Sequence, residues 1–148
     1  WMGEVPNAFL IRDPARVLAS YARKMEEVSL EAIGVPQQAE LFDRVCQLEG
    51  TPPPVVDSDD ILADPPGMLR ALCDALKIPY TDKMLSWSAG AKPEDGVWAP
   101  HWYDAVWQST GFGAPREAPP ALPDKLRRLA DAARERHESV SRYRLKPL

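Results

Sequence analysis

The chain has 148 residues, the length of one domain, and a chain of that size buries about two-thirds of its unfolded surface. Its 45% hydrophobic and 27% charged residues are ordinary for a globular domain, and no run approaches the roughly 20 apolar residues of a membrane helix. The net charge of −4 and the pI of about 5.2 argue against non-specific nucleic-acid binding.

We expect no secretory signal in residues 1–11, because no basic residue precedes the apolar run. The chain begins at Trp1 and enters a strand almost at once, so we expect an N-terminal portion to be missing. Cys46 and Cys73 each lie on a helical apolar pattern and are expected to be buried, reduced thiols, although a disulfide is possible. Reduced thiols fit a cytoplasmic protein.

Residues 7–21, NAFLIRDPARVLASY, predict a strand followed by a sharp turn and a helix. The apolar run at 8–11 suits a buried parallel strand, although four residues alone do not exclude a helix. Asp13 can cap the helix, and Pro14 fits its first position, where the missing N–H costs nothing. Four residues recur at helical spacing and are expected to lie against the sheet: Val17, Leu18, Tyr21 and Met25.

Arg12 lies where this strand becomes the helix. Ligands of open α/β sheets bind outside the carboxyl ends of the strands, and helix N-termini there favour anions. Arg12 therefore indicates a phosphate, sulfate or carboxylate site, and the alternative is an arginine paired with a surface carboxylate. Five cations could gather around such a site: Arg12, Arg16, Arg23, Lys24 and Lys92.

The middle of the chain predicts a helix and a second strand. After a short helical or irregular connection at 26–34, Pro36 opens a helix that runs to about Glu49 and is stopped by Gly50. Its apolar face is expected to hold Leu41, Phe42, Val45 and Leu48. A polyproline connector then leads to a short strand at 55–57, parallel to the first if the helix is a crossover.

The rest of the chain predicts two more long helices separated by an aromatic segment. Pro65 begins a helix with an apolar stripe to Leu76, and Thr81 caps a brief helix through Trp87. Residues 88–121 predict a long, partly irregular wrap. Most of its aromatic side chains are expected to form core, and the alternative is that they line an adenine or acceptor pocket. The last helix is expected from about Pro123 to Tyr143, with a solvated outer face rich in Arg and Glu.

Residues 7–21 resemble the 3′-phosphate-binding segment of sulfotransferases that use 3′-phosphoadenosine 5′-phosphosulfate (PAPS). In that family a strand ends in Arg-Asp-Pro and a Ser follows eight residues after the Arg, as Ser20 follows Arg12 here. The resemblance implies that Arg12 and Ser20 bind the 3′-phosphate of the cofactor. A guanidinium fork and a hydroxyl group suit a phosphate.

Two further segments extend the resemblance to residues 7–112. Residues 55–80 resemble the family's strand, Asp-Pro turn and helix, with Lys77 where Gly is usual. Residues 91–98 are similar to its late cofactor loop and keep Lys92, Gly96 and Trp98, although the usual Arg and first Gly are replaced by Ala91 and Pro93. The chain thus looks like the C-terminal part of a bacterial sulfotransferase-like P-loop protein.

The resemblance implies an α/β fold: part of a parallel sheet of the P-loop sulfotransferase type, with crossover helices and a C-terminal helix. Residues 1–148 would be one domain that transfers a sulfuryl group from PAPS to a hydroxyl or amine of a small-molecule acceptor. The chain alone is expected to be inactive, because it contains no phosphosulfate loop and the family's base lies upstream. His101 is the candidate base within the chain, but a histidine among tryptophans is more often a packed residue.

Two other function classes remain open. A P-loop kinase-like phosphotransferase would need the acidic residues 57–60 to hold magnesium, whereas these residues are better explained as caps of the turn and helix that follow. Its partner motif, a glycine-rich loop with Gly-Lys-Ser/Thr, fits no segment, and no metal site is expected. The third class is a non-catalytic binding module of the same fold.

Overall fold

The computed structural model describes residues 1–115 and 117–148, and it places helices around a small parallel sheet. This is an α/β structure, in agreement with the prediction. In chain order the elements are β1 (Phe9–Ile11), α1 (Pro14–Tyr21), α2 (Val35–Glu49), β2 (Val55–Asp57), α3 (Ser58–Ala63), α4 (Pro65–Leu76), α5 (Ala99–Trp102), α6 (Asp104–Trp107) and α7 (Asp124–Ser141). Short 3₁₀ turns cover Met2–Glu4 and Asp82–Leu85.

The two strands pair in parallel, as the sequence predicts, and α2 is the crossover between them. Their register sets Phe9 opposite Val55 and Ile11 opposite Asp57. The chain after α7 lies along the other edge of β2, where the Leu145 amide donates to the Val55 carbonyl at 2.8 Å. The carboxyl ends of β1 and β2, at Ile11 and Asp57, therefore meet at one edge, whereas the chain after α7 pairs with Val55 at the amino end of β2.

Local signals in the sequence fix the ends of α1 and α2. The Asp13 carboxylate accepts a hydrogen bond from the Arg16 amide at 3.0 Å and caps α1, and Gly34 and Gly50 flank α2 with φ of 72° and 71°. Such left-handed backbone favours glycine because a Cβ is disfavoured there. Helix α1 ends earlier than the apolar spacing predicted, so Met25 lies outside it and is 43% exposed.

Two aspartates also set the starts of the helices that follow β2. Asp57 caps α3 by accepting from the Asp59 amide at 2.8 Å, and Asp64 caps α4 by accepting from the Gly67 amide at 3.0 Å. Helix α4 ends at Leu76, and the next residue, Lys77, adopts φ 55° at the position where the sulfotransferases that this segment resembles have Gly. The helix therefore stops at the expected residue with a non-glycine residue in the left-handed region.

The core lies between the sheet and the helices α1, α2 and α7. Ile11, Phe42, Val55 and Val140 form one buried cluster, and Leu18 of α1 is fully buried. The predicted apolar face of α2 is only half correct, because Leu41 and Leu48 are 48% and 53% exposed. Packing against α7 selects the narrower stripe of α2 that contains Val35, Ala39, Phe42 and Val45.

The expectation that most aromatic residues of segment 88–121 form core is wrong for this structure. Trp98 is 70% exposed, and Trp102 and Tyr103 are also exposed. Among its described residues, the segment forms the two short helices α5 and α6, and its Gly111 forms a bridge to Ser86. Its rings find partners at the surface: Tyr21 stacks on Trp102 with a centroid separation of 6.2 Å.

The cysteines are free thiols, and only one of them is fully buried as predicted. Cys73 is buried in α4, whereas Cys46 is partly buried at the edge of the core. Burial is the main cause that raises the pKa of the Cys46 thiol above its ordinary value. None of the helices in the described part of the chain has both the length and the apolar character needed to cross a bilayer.

Candidate functional site

A groove of about 480 Å³ opens at the carboxyl end of β1, and we call it the arginine groove. It is lined by Arg12, Arg16, Ala19, Arg23, Glu117, Ala118 and Pro120. Three guanidinium groups thus face the same space: Arg12 before α1, Arg16 in its first turn and Arg23 just after its end. Such a concentration of positive charge at the carboxyl edge of a parallel sheet is suited to an anion.

Arg16 holds the walls of the arginine groove together. Its Nε donates to the Asp59 carboxylate at 2.9 Å, and its Nη2 donates to the Glu117 carbonyl. The Arg16 side chain is only 11% exposed, so its ion pair with Asp59 is shielded from solvent more than a surface pair. Arg16 therefore connects α1 to the first turn of α3 and to the chain at Glu117.

The flank of α1 continues the positive face beyond Arg16. Ser20 follows Arg16 by four residues and lies on the same side of α1, although it is not among the described residues that line the groove. Arg23 lies just beyond the end of α1 and does line the groove. Arg23 also donates from Nε to the Ala19 carbonyl at 3.2 Å. The carboxylate of Asp13 already occupies the N-terminal end of α1, so an anion in the groove meets the flank of the helix.

The acidic residues at the end of β2 have protein partners. Asp57 is buried, and its second carboxylate oxygen lies 3.4 Å from Nη1 of Arg144, which is 3.5 Å from Asp60 as well. The capping role predicted for Asp57 is thus present. Among the residues that the structure describes, no group of three or more His, Cys, Asp or Glu side chains is arranged to hold a metal ion.

The loop with Lys92, Gly96 and Trp98 is folded on itself. The Lys92 ammonium donates to the carbonyl and hydroxyl of Ser88, and its backbone amide donates to Asp95 at 2.8 Å. That amide is the largest cause of a lowered pKa for Asp95, followed by the indole N–H of Trp107. Neither Lys92, Gly96 nor Trp98 is among the described residues that line the arginine groove.

His101 and Lys24 meet on the other side of α1. The Lys24 ammonium donates to the His101 carbonyl, lies 3.6 Å from the Asp104 carboxylate and sits 5.3 Å from the centre of the Trp102 ring. The His101 side chain is exposed, with its ring 6.1 Å from that of Trp98. Lys24 is thus used to attach the aromatic segment to α1, and His101 is outside the groove lining.

The sequence named five cations as candidates for one anion site. The structure brings Arg12, Arg16 and Arg23 together in the arginine groove. Lys24 and Lys92 lie outside it and have other partners. Sequence reasoning missed the partners of Arg16, because Asp59 is 43 residues away and Glu117 is 101 residues away. No local pattern in the sequence indicates these two partners, because helical spacing relates only residues that are close together along the chain.

Comparison with known proteins gives a family for this chain. The sequence model of the sulfotransferase domain family matches residues 1–134, which is nearly the whole chain. No solved structure matches.

Two curated relatives from Arabidopsis thaliana align over 122 residues. They are branched-chain-amino-acid aminotransferase-like proteins 1 and 2, with 45% and 41% identity over 82% of this chain. The aligned region is 22% of each relative, so the chain spans about a fifth of their length.

Proposed function

Since this chain belongs to the sulfotransferase domain family, we propose that it binds the nucleotide end of PAPS in the arginine groove. Arg12 and Ser20 are the proposed ligands of the 3′-phosphate. The observation that carries the proposal is the convergence of Arg12, Arg16 and Arg23 at the carboxyl end of β1. We also propose that the strands and crossover helix are part of the larger parallel sheet of a P-loop-type sulfotransferase.

The chemistry of the groove suits a phosphate dianion. A guanidinium group offers two parallel N–H donors to phosphate oxygens, and a hydroxyl adds a third donor from the helix flank. Arg16 is held by Asp59 and by the Glu117 carbonyl, so it positions the groove walls around the nucleotide. The guanidinium of Arg12 and the hydroxyl of Ser20 are then the direct contacts.

In the proposed reaction, an oxygen or nitrogen of a small-molecule acceptor attacks the sulfur of PAPS. The new bond to sulfur forms as the bond between sulfur and the 5′-phosphate oxygen breaks, and the acceptor proton passes to a base. The product nucleotide is adenosine 3′,5′-bisphosphate. By holding the 3′-phosphate, the residues of this chain fix the donor in position for that attack.

The groups that face the sulfuryl end are proposed to lie elsewhere in the complete protein. No segment of this sequence fits a glycine-rich phosphate loop, and His101 is outside the groove lining. We therefore propose that residues 1–148 form the nucleotide-binding part of one larger catalytic domain. The chain alone is expected to show no turnover, because the donors that stabilise the developing charge are missing.

We further propose that the loop with Lys92, Gly96 and Trp98 makes a secondary contact with the donor. This requires the Lys92 ammonium to exchange its hydrogen bonds to Ser88 for a phosphate oxygen. Such an exchange gains little net free energy, because one set of hydrogen bonds replaces another.

The test measures the affinity of adenosine 3′,5′-bisphosphate for variants of the complete protein by calorimetry. A charge-assisted contact contributes about 1.5–3 kcal/mol, so Arg12→Ala should weaken binding about ten- to a hundredfold. Arg12→Lys should recover only part of the affinity, since an ammonium group cannot reproduce the guanidinium fork. Ser20→Ala should have a smaller effect, because a neutral hydroxyl contributes about 0.5–1.5 kcal/mol.

Adenosine 5′-phosphosulfate, which lacks the 3′-phosphate, is the matched ligand control. Its affinity should change little in Arg12→Ala. An equal loss for both ligands, or an unchanged affinity for the bisphosphate in a folded variant, would show that Arg12 does not bind the 3′-phosphate.

A further inference from the structure

The segment that follows α7 lies along β2, and we call residues 144–148 the strap. Arg144 forms a parallel bridge with Val55, and the Leu145 amide donates to the Val55 carbonyl at 2.8 Å. Alternate residues of an extended chain face the same neighbour, so the next amide toward β2 would belong to Pro147. Proline has no N–H, and this row of hydrogen bonds therefore stops at Leu145.

Gly67 allows the strap to approach the start of α4 closely. The Leu148 amide donates to the Gly67 carbonyl at 3.2 Å, and a Cβ added to Gly67 would lie 2.8 Å from the Cβ of Pro147. Non-bonded carbon atoms prefer a separation of about 3.5–4.0 Å, so a side chain at Gly67 would displace the strap. The strap is thus positioned against both β2 and α4.

The Arg144 side chain extends from the strap to the carboxyl end of β2. Its Nη1 lies 3.4 Å from the Asp57 carboxylate and 3.5 Å from the Asp60 carboxylate. The Asp57 side chain is only 8% exposed, and a buried charge that loses its partner is costly. Arg144 therefore fixes the junction between β2 and the first turn of α3.

The same junction is connected to the arginine groove. The other carboxylate oxygen of Asp57 accepts from the Asp59 amide at 2.8 Å. The Asp59 carboxylate accepts from Nε of Arg16 at 2.9 Å, and Nη2 of Arg16 donates to the Glu117 carbonyl. One buried carboxylate, that of Asp57, thus contacts Arg144 on one side and the backbone of the Arg16 partner on the other.

The charges around this turn require both arginines. Asp57, Asp59 and Asp60 place three carboxylates within four residues, and like charges at such short range repel each other. Arg16 compensates the turn from the side of the groove, and Arg144 compensates it from the side of the strap. Without Arg144, the carboxylates beside Asp59 are less compensated, and we expect the turn to shift so that their repulsion falls.

We propose that Arg144 is a positioning residue for the nucleotide site. By fixing the first turn of α3, it holds the Asp59 carboxylate where that group orients Arg16, which in turn positions the sides of the arginine groove. The effect on nucleotide binding rests on the function proposed above. Arg144 itself is not among the described residues that line the groove, so it acts through Arg16 and not by contact with the nucleotide.

The test is a cycle of single and double variants of the complete protein, with the affinity for adenosine 3′,5′-bisphosphate measured by calorimetry. Arg144→Ala should weaken binding about three- to fivefold, which is less than the loss expected for Arg16→Ala because the action is indirect. In protein that already carries Arg16→Ala, the further loss should be less than about twofold, since the residue through which Arg144 acts is gone.

A conservative variant tests the same role by rescue. A single nitrogen of Arg144 lies near both carboxylates, so one ammonium group can take its place. Arg144→Lys should therefore recover most of the affinity that Arg144→Ala loses. Asp60→Asn is the milder variant if Arg144→Ala does not fold, because the Asp60 side chain is 34% exposed. Its loss should be about two- to threefold and should also disappear in the Arg16→Ala background.

Two controls separate positioning from a general loss of structure. Arg142→Ala removes the same charge two residues before Arg144 and should leave the affinity unchanged. Val140→Ala removes a buried apolar side chain from α7, so it should lower the stability but not the affinity of the folded protein. A loss of affinity in Val140→Ala equal to that in Arg144→Ala would overturn the positioning role.

The remaining outcomes distinguish this role from the proposed function. Unchanged affinity in folded Arg144→Ala, or a loss of the same size with and without Arg16, would overturn the positioning role alone. A wild-type protein that does not bind the bisphosphate, or binding that is insensitive to Arg12→Ala, would contradict the proposed function and this role with it. Binding that depends on Arg12 but not on Arg144 would contradict only the role of Arg144.

Discussion

The framework around β1 and β2 and the aromatic segment 88–121 are stabilised in different ways. In the framework, Ile11, Leu18 and Val55 are at most 1% exposed, so apolar burial fixes the strands against α1 and α7. In the aromatic segment, described residues make few buried apolar contacts, and Trp98 is 70% exposed. Indole hydrogen bonds hold this segment instead: Trp107 donates to Asp95 at 2.7 Å and Trp87 donates to Ser109 at 2.9 Å.

The difference shows why the arginine groove belongs to the framework. Arg12 extends directly from β1, and Arg16 is on a helix with a fully buried Leu18, so their backbones are fixed by the core. Lys92 is instead in a loop whose contacts are polar and exposed. Sites on strands and helices are positioned more precisely than sites on loops.

The largest expected effect is on stability. Leu18→Ala removes a fully buried side chain from the interface of α1 with the core and should lower the free energy of unfolding by about 2–5 kcal/mol. Trp98→Ala removes a larger but exposed side chain and should change it by less than about 0.5 kcal/mol. Urea denaturation measures both variants. A loss of more than about 2 kcal/mol in Trp98→Ala would place the aromatic segment in the core of the complete protein.

A second comparison separates the two regions by nucleotide binding. Arg16→Ala should weaken binding of adenosine 3′,5′-bisphosphate about tenfold. The variant loses the ion pair between Arg16 and Asp59 and the hydrogen bond to the Glu117 carbonyl, which together position the sides of the groove. Lys92→Ala should weaken it by at most about fivefold, since exposed pairs contribute about 0–1 kcal/mol. Calorimetric titration gives both values. An equal loss of nucleotide affinity in Lys92→Ala and Arg12→Ala would show that the Lys92 loop contributes as much to binding as Arg12 does.

The framework should also respond to mild acid through His137. Burial lowers the pKa of His137 below 6.5 in the folded protein, although Asp57, Asp13 and Glu138 act in the opposite direction and Arg144 acts with burial. Its Nε2 is buried without a hydrogen-bond partner among the described residues. The unfolded chain then binds the proton more readily, so stability should fall as the pH drops below 6.5.

Replacing His137 isolates this contribution. His137→Gln cannot titrate, so denaturation curves at a series of pH values below 6.5 should show a shallower loss of stability than the wild type. His101→Gln is the control, because it removes an exposed histidine from the aromatic segment. Parallel curves for wild type and His137→Gln would rule out the assigned role of His137.

The smallest effect is expected in the aromatic segment at lower pH. Hydrogen bonds from the Lys92 amide and the Trp107 indole lower the pKa of Asp95 below 3.8. Their contribution is complete above 3.8 and is lost as the pH falls through the folded pKa. Opening of this loop should then be seen as faster exchange of the Trp107 indole proton by NMR. In Asp95→Asn the exchange should be fast already near neutral pH, and slow exchange in that variant would contradict the role of Asp95.

Local structure around the site could be predicted from the sequence because it depends on neighbouring residues. Asp13 and Asp57 cap the helices that follow them, and the apolar runs before them form the paired strands. The Pro14 position and the glycine at 50 set helix ends for the same short-range reason. The parallel pairing was also predictable, because a crossover helix between two short strands leads to it.

The sequence by itself determined the α/β class, the strand–turn–helix that presents Arg12, and the family segment with Ser20. Only the tertiary structure decided that Arg16 contacts both Asp59 and the Glu117 carbonyl. It also decided that Lys24 packs on Trp102 of the aromatic segment and that Leu41 faces solvent. Helical spacing states which residues share a face but not which neighbour covers that face. Partners distant in sequence are set by the path of the whole chain, so their identity depends on packing and not on local pattern.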